Sequence, residues 1–304
     1  MKRTDFLAPE IRDGVHVSSD LKKIWKAELD VLEQFVAICD RHGLRYSLAG
    51  GNLIGAFRHK GFIPWDDDID VDMVREDYDR FLEYAQKELP KPYFLQTTKT
   101  DPGRVVNFAQ IRNSGTTCID PHWVELGTVF NSGIGIDIFP VDGLPSSRFR
   151  WLFTKSVVRL TQSLQYNAMI RKNFGLKGFF KRYLAKLICR CVGWDNLYEL
   201  REWALRRNKL SDCAKCGELS YAISMRNPRL IWSTSCYDSY IDVPYEYLTL
   251  KVAAGYDEMN TCQYGDWRTP VKGTGDHGNL YYDVDRPYKE VLVEKFGYKQ
   301  EWFK

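Results

Sequence analysis

The most constraining stretch of this chain is Asp66, Asp67, Asp68, Ile69, Asp70, Val71, Asp72, Met73. From Asp68 onward acidic and apolar residues alternate strictly, which is the period of a strand with two unlike faces and not of a helix. Asp68, Asp70 and Asp72 then share one face, with Ile69, Val71 and Met73 on the other. Carboxylates stacked on one face repel each other, so a chain keeps them where a divalent cation sits between them. An Asp, one intervening residue and a second Asp put two carboxylates within reach of one hard ion, Mg²⁺ or alternatively Mn²⁺, and Asp68 and Asp70 are that pair. A solvated acidic sheet edge is the competing reading. Asp66 and Asp67 precede the alternation and shape the turn into the strand.

Upstream, Ser19 and Asp20 cap a helix whose apolar stripe is Leu21, Ile24, Trp25, Leu32, Phe35, Val36 and Cys39, stopped at Gly43. A short strand over 46–49 ends in Gly50, Gly51 and Asn52, after which 53–58 reads as a short helix. Such a glycine turn offers backbone N–H groups and a helix dipole to a phosphate, and Arg58, His59 and Lys60 bring charge beside it. His59 also titrates in a proton carrier's range, although a hydrogen-bonding role is the ordinary alternative. A helix over 76–89 closes at Pro90, and strands over 93–97, 106–112 and 135–139 complete a mixed sheet backed by helices. The expected class is therefore α/β, in the α+β sense.

A site of paired carboxylates wants a third acid, to take the proton of an attacking hydroxyl or to hold a second metal. Asp137 fits, because Ile136 and Ile138 beside it point to the core while Asp137 points the other way, provided its strand neighbours the acidic one. Asp142, next to Gly143, reads as a turn residue. Arg112 ends its strand, within reach of a phosphate or simply at the surface. A phosphate cradle with paired metal carboxylates is the constellation of phosphoryl or nucleotidyl transfer.

The chain has 304 residues and a net charge of +3, but the charge is uneven. Residues 143–194 hold eleven Lys and Arg and no Asp or Glu, so the remainder is acidic on balance. Within them Phe179, Phe180, Tyr183, Leu184, Leu187, Ile188 and Cys191 recur at helical spacing among Lys181, Arg182, Lys186 and Arg190. That basic amphipathic helix suits an anionic membrane surface, and the plainer reading packs its stripe on the core. Nucleic acid is not the expected partner, since no recognition module accompanies the charge. The first fourteen residues carry six charges and no apolar core segment, which is unlike a signal peptide, and no stretch is apolar enough to span a bilayer. The expected location is the cytoplasm, with peripheral association at the inner membrane face through 143–194.

In that compartment the eight cysteines are expected as thiols. Cys213 and Cys216 with Cys189 and Cys191 leave a structural Zn²⁺ site arithmetically open, at a spacing that matches no strong zinc pattern. Residues 272–279, KGTGDHGN, read as a connecting loop, with a lid bearing Asp276 and His277 as the alternative.

The run GGNLIGAFRHKGFIPWDDDID over 50–70 resembles the hallmark of the LicD family of phosphocholine transferases, which fukutin and fukutin-related protein also resemble. IDIFPVDGLP over 136–145 is similar to the family's second block, and Tyr264, Gly265, Asp266, Trp267 with Pro270 to a later one. The resemblance implies a nucleotidyltransferase-like core over 1–145, completed by 246–304, around a basic helical insertion over 146–245. It implies Mg²⁺-dependent transfer of phosphocholine or a similar alcohol or alditol phosphate from a CDP-linked donor to a hydroxyl of a cell-envelope glycan or its lipid-linked precursor, releasing CMP. Carried over by position, Asp68 and Asp70 are metal ligands, Asp137 is the third acid, and Gly50 and Gly51 hold the donor phosphates. Asn52 stands where a small hydroxyl residue is usual, and its amide is expected to donate to a phosphate. Trp65, Tyr264 and Trp267 are candidate faces for a quaternary ammonium. Transfer of the nucleotide itself, or a binding protein with a metal-free site, are the alternatives.

Overall fold

The computed structural model describes residues 5–172, 175–271 and 279–303; the 272–279 loop therefore lies outside the described residues except for Asn279. A hairpin of β1 (Glu10–Arg12) and β2 (Val15–Val17) turns on Asp13 and Gly14, both left-handed. In α1 (Ser19–His42) the cap is Ser18, whose hydroxyl accepts from the Leu21 N–H at 3.1 Å, so Ser19 and Asp20 form the first turn rather than the cap. Gly43 closes the helix at φ 60°, as its position predicts. Trp25, Leu29, Leu32 and Phe35 are fully buried along one side of α1, and Trp25 stacks on Phe62 at 4.6 Å.

Next come β3 (Ser47–Leu48), α2 (Gly50–Arg58), β4 (Asp70–Val74), α3 (Arg75–Glu88), β5 (Tyr93–Gln96), β6 (Ala109–Asn113), β7 (Thr117–Ile119), α4 (Pro121–Glu125) and β8 (Ile134–Gly143). The alternation is realised in β4: Ile69, Val71 and Met73 are in the core, but Asp68 sits in the approach to the strand, ahead of its first residue. Strand β8 is the centre of the sheet. It lies parallel to β4 on one edge and antiparallel to β6 on the other, and β3 and β5 extend the two sides. Its length corrects the reading of Asp142, which is a fully buried strand residue and not a turn. Arg75 makes that burial possible by a two-pronged contact, Nε to Oδ1 at 2.7 Å and Nη2 to Oδ2 at 2.8 Å, while its Nη1 reaches Glu202 at 2.8 Å.

The basic segment folds as α5 (Arg148–Met169) and α6 (Gly175–Val192), and α7 (Trp194–Arg206) follows it. Val158 and Leu205 meet Leu219 and Ile223 of α8 (Leu219–Met225) in a small core. Before and after α8, β9 (Lys215–Gly217) and β10 (Ile231–Ser233) lengthen the central sheet along the end of β8. Residues expected in the helical insertion thus contribute strands to the sheet. The hairpin of β11 (Tyr240–Tyr245) and β12 (Leu248–Ala253) spans the boundary expected at 245. After α9 (Tyr256–Tyr264), β13 (Tyr281–Asp283) pairs with β7, and α10 (Tyr288–Phe296) packs on Ile119 and Tyr298.

The apolar stripe of α6 does not pack on the core. Phe180, Tyr183, Leu184 and Leu187 are exposed, and the residues turned inward are Arg182, Ala185 and Cys189. Among the described residues no helix is long and apolar enough to cross a membrane.

Candidate active site

Strands β3 and β4 pair antiparallel, so α2, which follows β3 directly, begins beside the start of β4. The two glycines belong to the first turn of the helix rather than to a turn before it. A Cβ on Gly50, where φ is +54°, would lie 2.7 Å from Asp70 Oδ2, and one on Gly51 would lie 2.5 Å from Asp66 Oδ2. The glycines therefore let two carboxylates approach the positive end of a helix, a placement the macrodipole favours. Asn52 holds this junction together. Its amide nitrogen donates to Asp68 O and to the Tyr245 hydroxyl, both at 2.9 Å, and its Oδ1 accepts from the Asp70 N–H at 2.6 Å. Buried and with both donors engaged, Asn52 is a brace for the acidic segment, which corrects the expectation of an amide turned to a phosphate.

Asp137 stands beside Asp70 in the parallel register of β8 and β4, with Ile136 and Ile138 fully buried behind it. On its other side it is paired in register with Gln110, whose amide donates to Asp137 Oδ1. Asp68, Asp70 and Asp137 line one cavity of about 530 Å³. Asp72, two residues on, does not reach it: it is fully buried and accepts from the Tyr237 hydroxyl at 2.7 Å.

The facing wall is cationic. Arg112 of β6 lies opposite Gly135, where a Cβ would come within 2.8 Å of the Arg112 Cδ, so the glycine makes room for the side chain. The guanidinium donates to Gln96 Oε1 and Gly133 O at 3.2 Å and lines the cavity. Beside it Arg104 stacks over Trp123 at 4.6 Å and Phe130 at 5.3 Å, with Nε and Nη1 buried and lacking hydrogen-bond partners among the described residues. Burial, and then the charge of Arg112, bring the Arg104 pKa down to about 10. Two neighbouring guanidiniums, one with unused donors, make an anion site.

The acidic wall suits a hard cation. Burial first, then Asp68, Asp137, Glu218 and Asp66, push the Asp70 carboxyl well above the usual range, a penalty that a bound cation would remove. Among the described residues no three His, Cys, Asp or Glu side chains already stand in metal-holding geometry. Two carboxylates are a donor set that a hard cation such as Mg²⁺ can take, with water and substrate phosphate oxygens completing its shell. The eight cysteines are free thiols, and no cluster of them gathers for zinc among the described residues.

Arg58, Trp65, Asp66 and Trp267 line an adjoining cavity of about 330 Å³ that also touches Asp68, Asp70 and Tyr264. Arg58 donates to Trp267 O at 3.0 Å. Trp267 itself is buried with Ile54 and Ile63, its indole N–H on Asp257, which makes it core more than a ligand face. His59 and Lys60 line neither cavity. The His59 ring is buried, 2.9 Å from Asp13 Oδ2, and burial lowers its pKa, while Lys60 is exposed in a left-handed turn.

Glu28, Glu218, Arg104 and Tyr282 are among the cavity residues that the sequence did not single out. Glu28 occupies a buried position of α1 in an otherwise apolar stripe, and that interruption was a readable signal. Glu218, Arg104 and Tyr282 carry none. Burial pushes the Glu218 carboxyl up to about 8, and Tyr282 donates to Asp67 Oδ2 at 3.1 Å.

Residues 43–142 match the family described as LicD/FKTN/FKRP, nucleotidyltransferase domain. Over 119 residues the chain is 40% identical to lipopolysaccharide cholinephosphotransferase LicD of Haemophilus influenzae, covering 39% of this chain and 43% of that protein. Over 42 residues it is 48% identical to ribitol 5-phosphate transferase FKRP of Homo sapiens, covering 14% of this chain and 8% of that protein. The chain thus spans less than half the length of the curated relatives it matches.

Proposed function

We propose, from the match of residues 43–142 to the LicD/FKTN/FKRP nucleotidyltransferase domain, that this protein transfers a phosphorylated alcohol, phosphocholine or an alditol phosphate, from a CDP-linked donor to a hydroxyl of a cell-envelope glycan or its lipid-linked precursor. The relatives named above transfer phosphocholine and ribitol 5-phosphate respectively, which supports the class of group moved. The observation that carries the reading is the cavity with Asp68, Asp70 and Asp137 on one wall and Arg104 and Arg112 on the other.

Asp68 and Asp70 would hold Mg²⁺, which when bound offsets charge developing on the phosphoryl oxygens. Arg104, through its unused N–H groups, and Arg112 beside it bind the donor's phosphates. Asp137, fixed by Gln110, takes the proton of the acceptor hydroxyl as its oxygen forms the new P–O bond. The bond to the CMP oxygen breaks, and CMP leaves with the electron pair. Trp65 and Tyr264 offer aromatic faces to the alcohol portion in the adjoining cavity. The proposal puts the reaction at the cytoplasmic side of the membrane, a reading supported by the basic, apolar-faced helix α6.

The test is release of CMP from CDP-choline, CDP-ribitol and CDP-glycerol with a glycan acceptor, with and without Mg²⁺, in wild type and Asp68→Ala. Turnover of one donor that needs both Mg²⁺ and Asp68 supports the reading. Pyrophosphate release from CTP or ATP, with every CDP-linked compound inert, would replace it with nucleotidyl transfer.

A further inference from the structure

Helix α6 is amphipathic in the reverse sense to a core helix. At about 100° per residue, Leu176, Phe180, Tyr183, Leu184 and Leu187 fall within an arc of roughly 100°. The packed residues Arg182, Ala185 and Cys189 lie on the opposite side. Leu176 is 79% exposed, Phe180 65% and Tyr183 63%, so among the described residues no element covers the stripe. Exposed Lys177 and Lys181 border it on one side, and exposed Lys186 and Arg190 on the other. Helix α5, packed beside α6, leaves Phe149, Leu152 and Leu160 exposed as well.

We propose that α6, with the exposed apolar side chains of α5, is a docking surface for an anionic lipid bilayer, lying in the interface rather than crossing it. Two features select this occupant. A bilayer accepts both parts of the face at once, acyl chains taking Leu176, Phe180 and Leu187 while headgroup phosphates meet the flanking lysines. A second copy of the chain would instead bring together two segments that each hold eleven basic residues and no acid. Nucleic acid would satisfy the lysines and leave the apolar stripe in water. The surface is also tied to the cavity: Tyr166 of α5 packs edge-on against Trp123, which lines it, and the backbone N–H of Arg171 and Lys172 bonds to Leu126 O at the end of α4. The docking surface and one wall of the cavity thus belong to elements in direct contact, and use of that contact to meet a lipid-anchored acceptor rests on the proposed function.

The test is co-sedimentation with phosphatidylcholine vesicles made with and without phosphatidylglycerol, which needs no donor and so stands apart from the proposed chemistry. Wild type pellets with the anionic vesicles alone, and added salt weakens the binding. Lys177→Gln/Lys181→Gln/Lys186→Gln/Arg190→Gln loses at least ~10-fold in partition, since each basic side chain near an anionic surface is worth roughly fivefold. Leu176→Ser/Phe180→Ser/Leu187→Ser loses comparably, with unchanged circular dichroism and unchanged CMP release on a soluble acceptor. Arg182 is left alone because it is buried. Wild type remaining in the supernatant, or both variants pelleting like wild type, overturns the proposal. So does a solution dimer that the serine variant alone fails to form, which would assign the face to a second copy.

Discussion

Gly50 and Asp70 share one small space: the position a Cβ would take on Gly50 is 2.7 Å from Asp70 Oδ2. Gly50→Ala therefore meets two costs, a left-handed backbone and a displaced carboxylate, for a loss of about 1–3 kcal/mol. Urea unfolding gives the stability change. Mg²⁺-dependent CMP release is expected to fall further than stability alone explains, and full turnover in the alanine variant would show that Asp70 need not stay where it is.

Arg104 is expected to separate stability from binding. Its buried nitrogens, which lack hydrogen-bond partners among the described residues, cost free energy when no anion is bound, so Arg104→Met holds or raises the melting temperature. The same change removes a charge-assisted contact worth about 1.5–3 kcal/mol to a phosphate, and donor affinity drops roughly 10- to 100-fold. Calorimetric titration with a CDP-linked compound in parallel with thermal unfolding checks both halves. Unchanged affinity would remove Arg104 from the site.

Glu218 ties stability to pH. Folded, its carboxyl keeps the proton up to about pH 8, whereas unfolded it ionises near 4.5. The folded state thus holds the extra proton between those values, so its contribution is full below pH 4.5 and declines as pH rises, by roughly 1.4 kcal/mol per unit. Glu218→Gln lacks this decline. Denaturant midpoints of the two proteins, in chelator from pH 5 to 8.5, should diverge toward high pH with the variant the more stable. Parallel curves would show that Glu218 titrates normally.

Arg75 is expected to be the costliest of these substitutions. Arg75→Met leaves the buried Asp142 without its cation and Glu202 with Arg201 alone, at 3.7 Å, a loss of about 3–5 kcal/mol. A urea midpoint within experimental error of wild type would contradict the buried network.

What the sequence made legible was what periodicity and order carry. The alternation around Asp70, the flanking isoleucines of Asp137 and the glycines at the start of α2 all follow from short-range spacing, and the register of β4 on β8 joins them. Asp142 was misread because its partner Arg75 lies 67 residues away, and no local pattern announces a buried ion pair. Asn52 was misread for a similar reason: its bond to Tyr245 spans 193 residues. The stripe on α6 was visible as a stripe, but periodicity says only that a helix has an apolar side, not what covers it.

Glu246 accepts from Arg12 of the first hairpin at 2.6 Å and from the Phe62 N–H at 3.0 Å, while its own N–H donates to Lys60 O at 2.7 Å. One side chain near the end of the sequence thus pins the loop that delivers the acidic strand to an arm near the beginning. The contiguous signature over 50–70 is consequently not a transplantable cassette. Grafted into another scaffold without its distant clasp, the same residues would spell the motif without holding its shape.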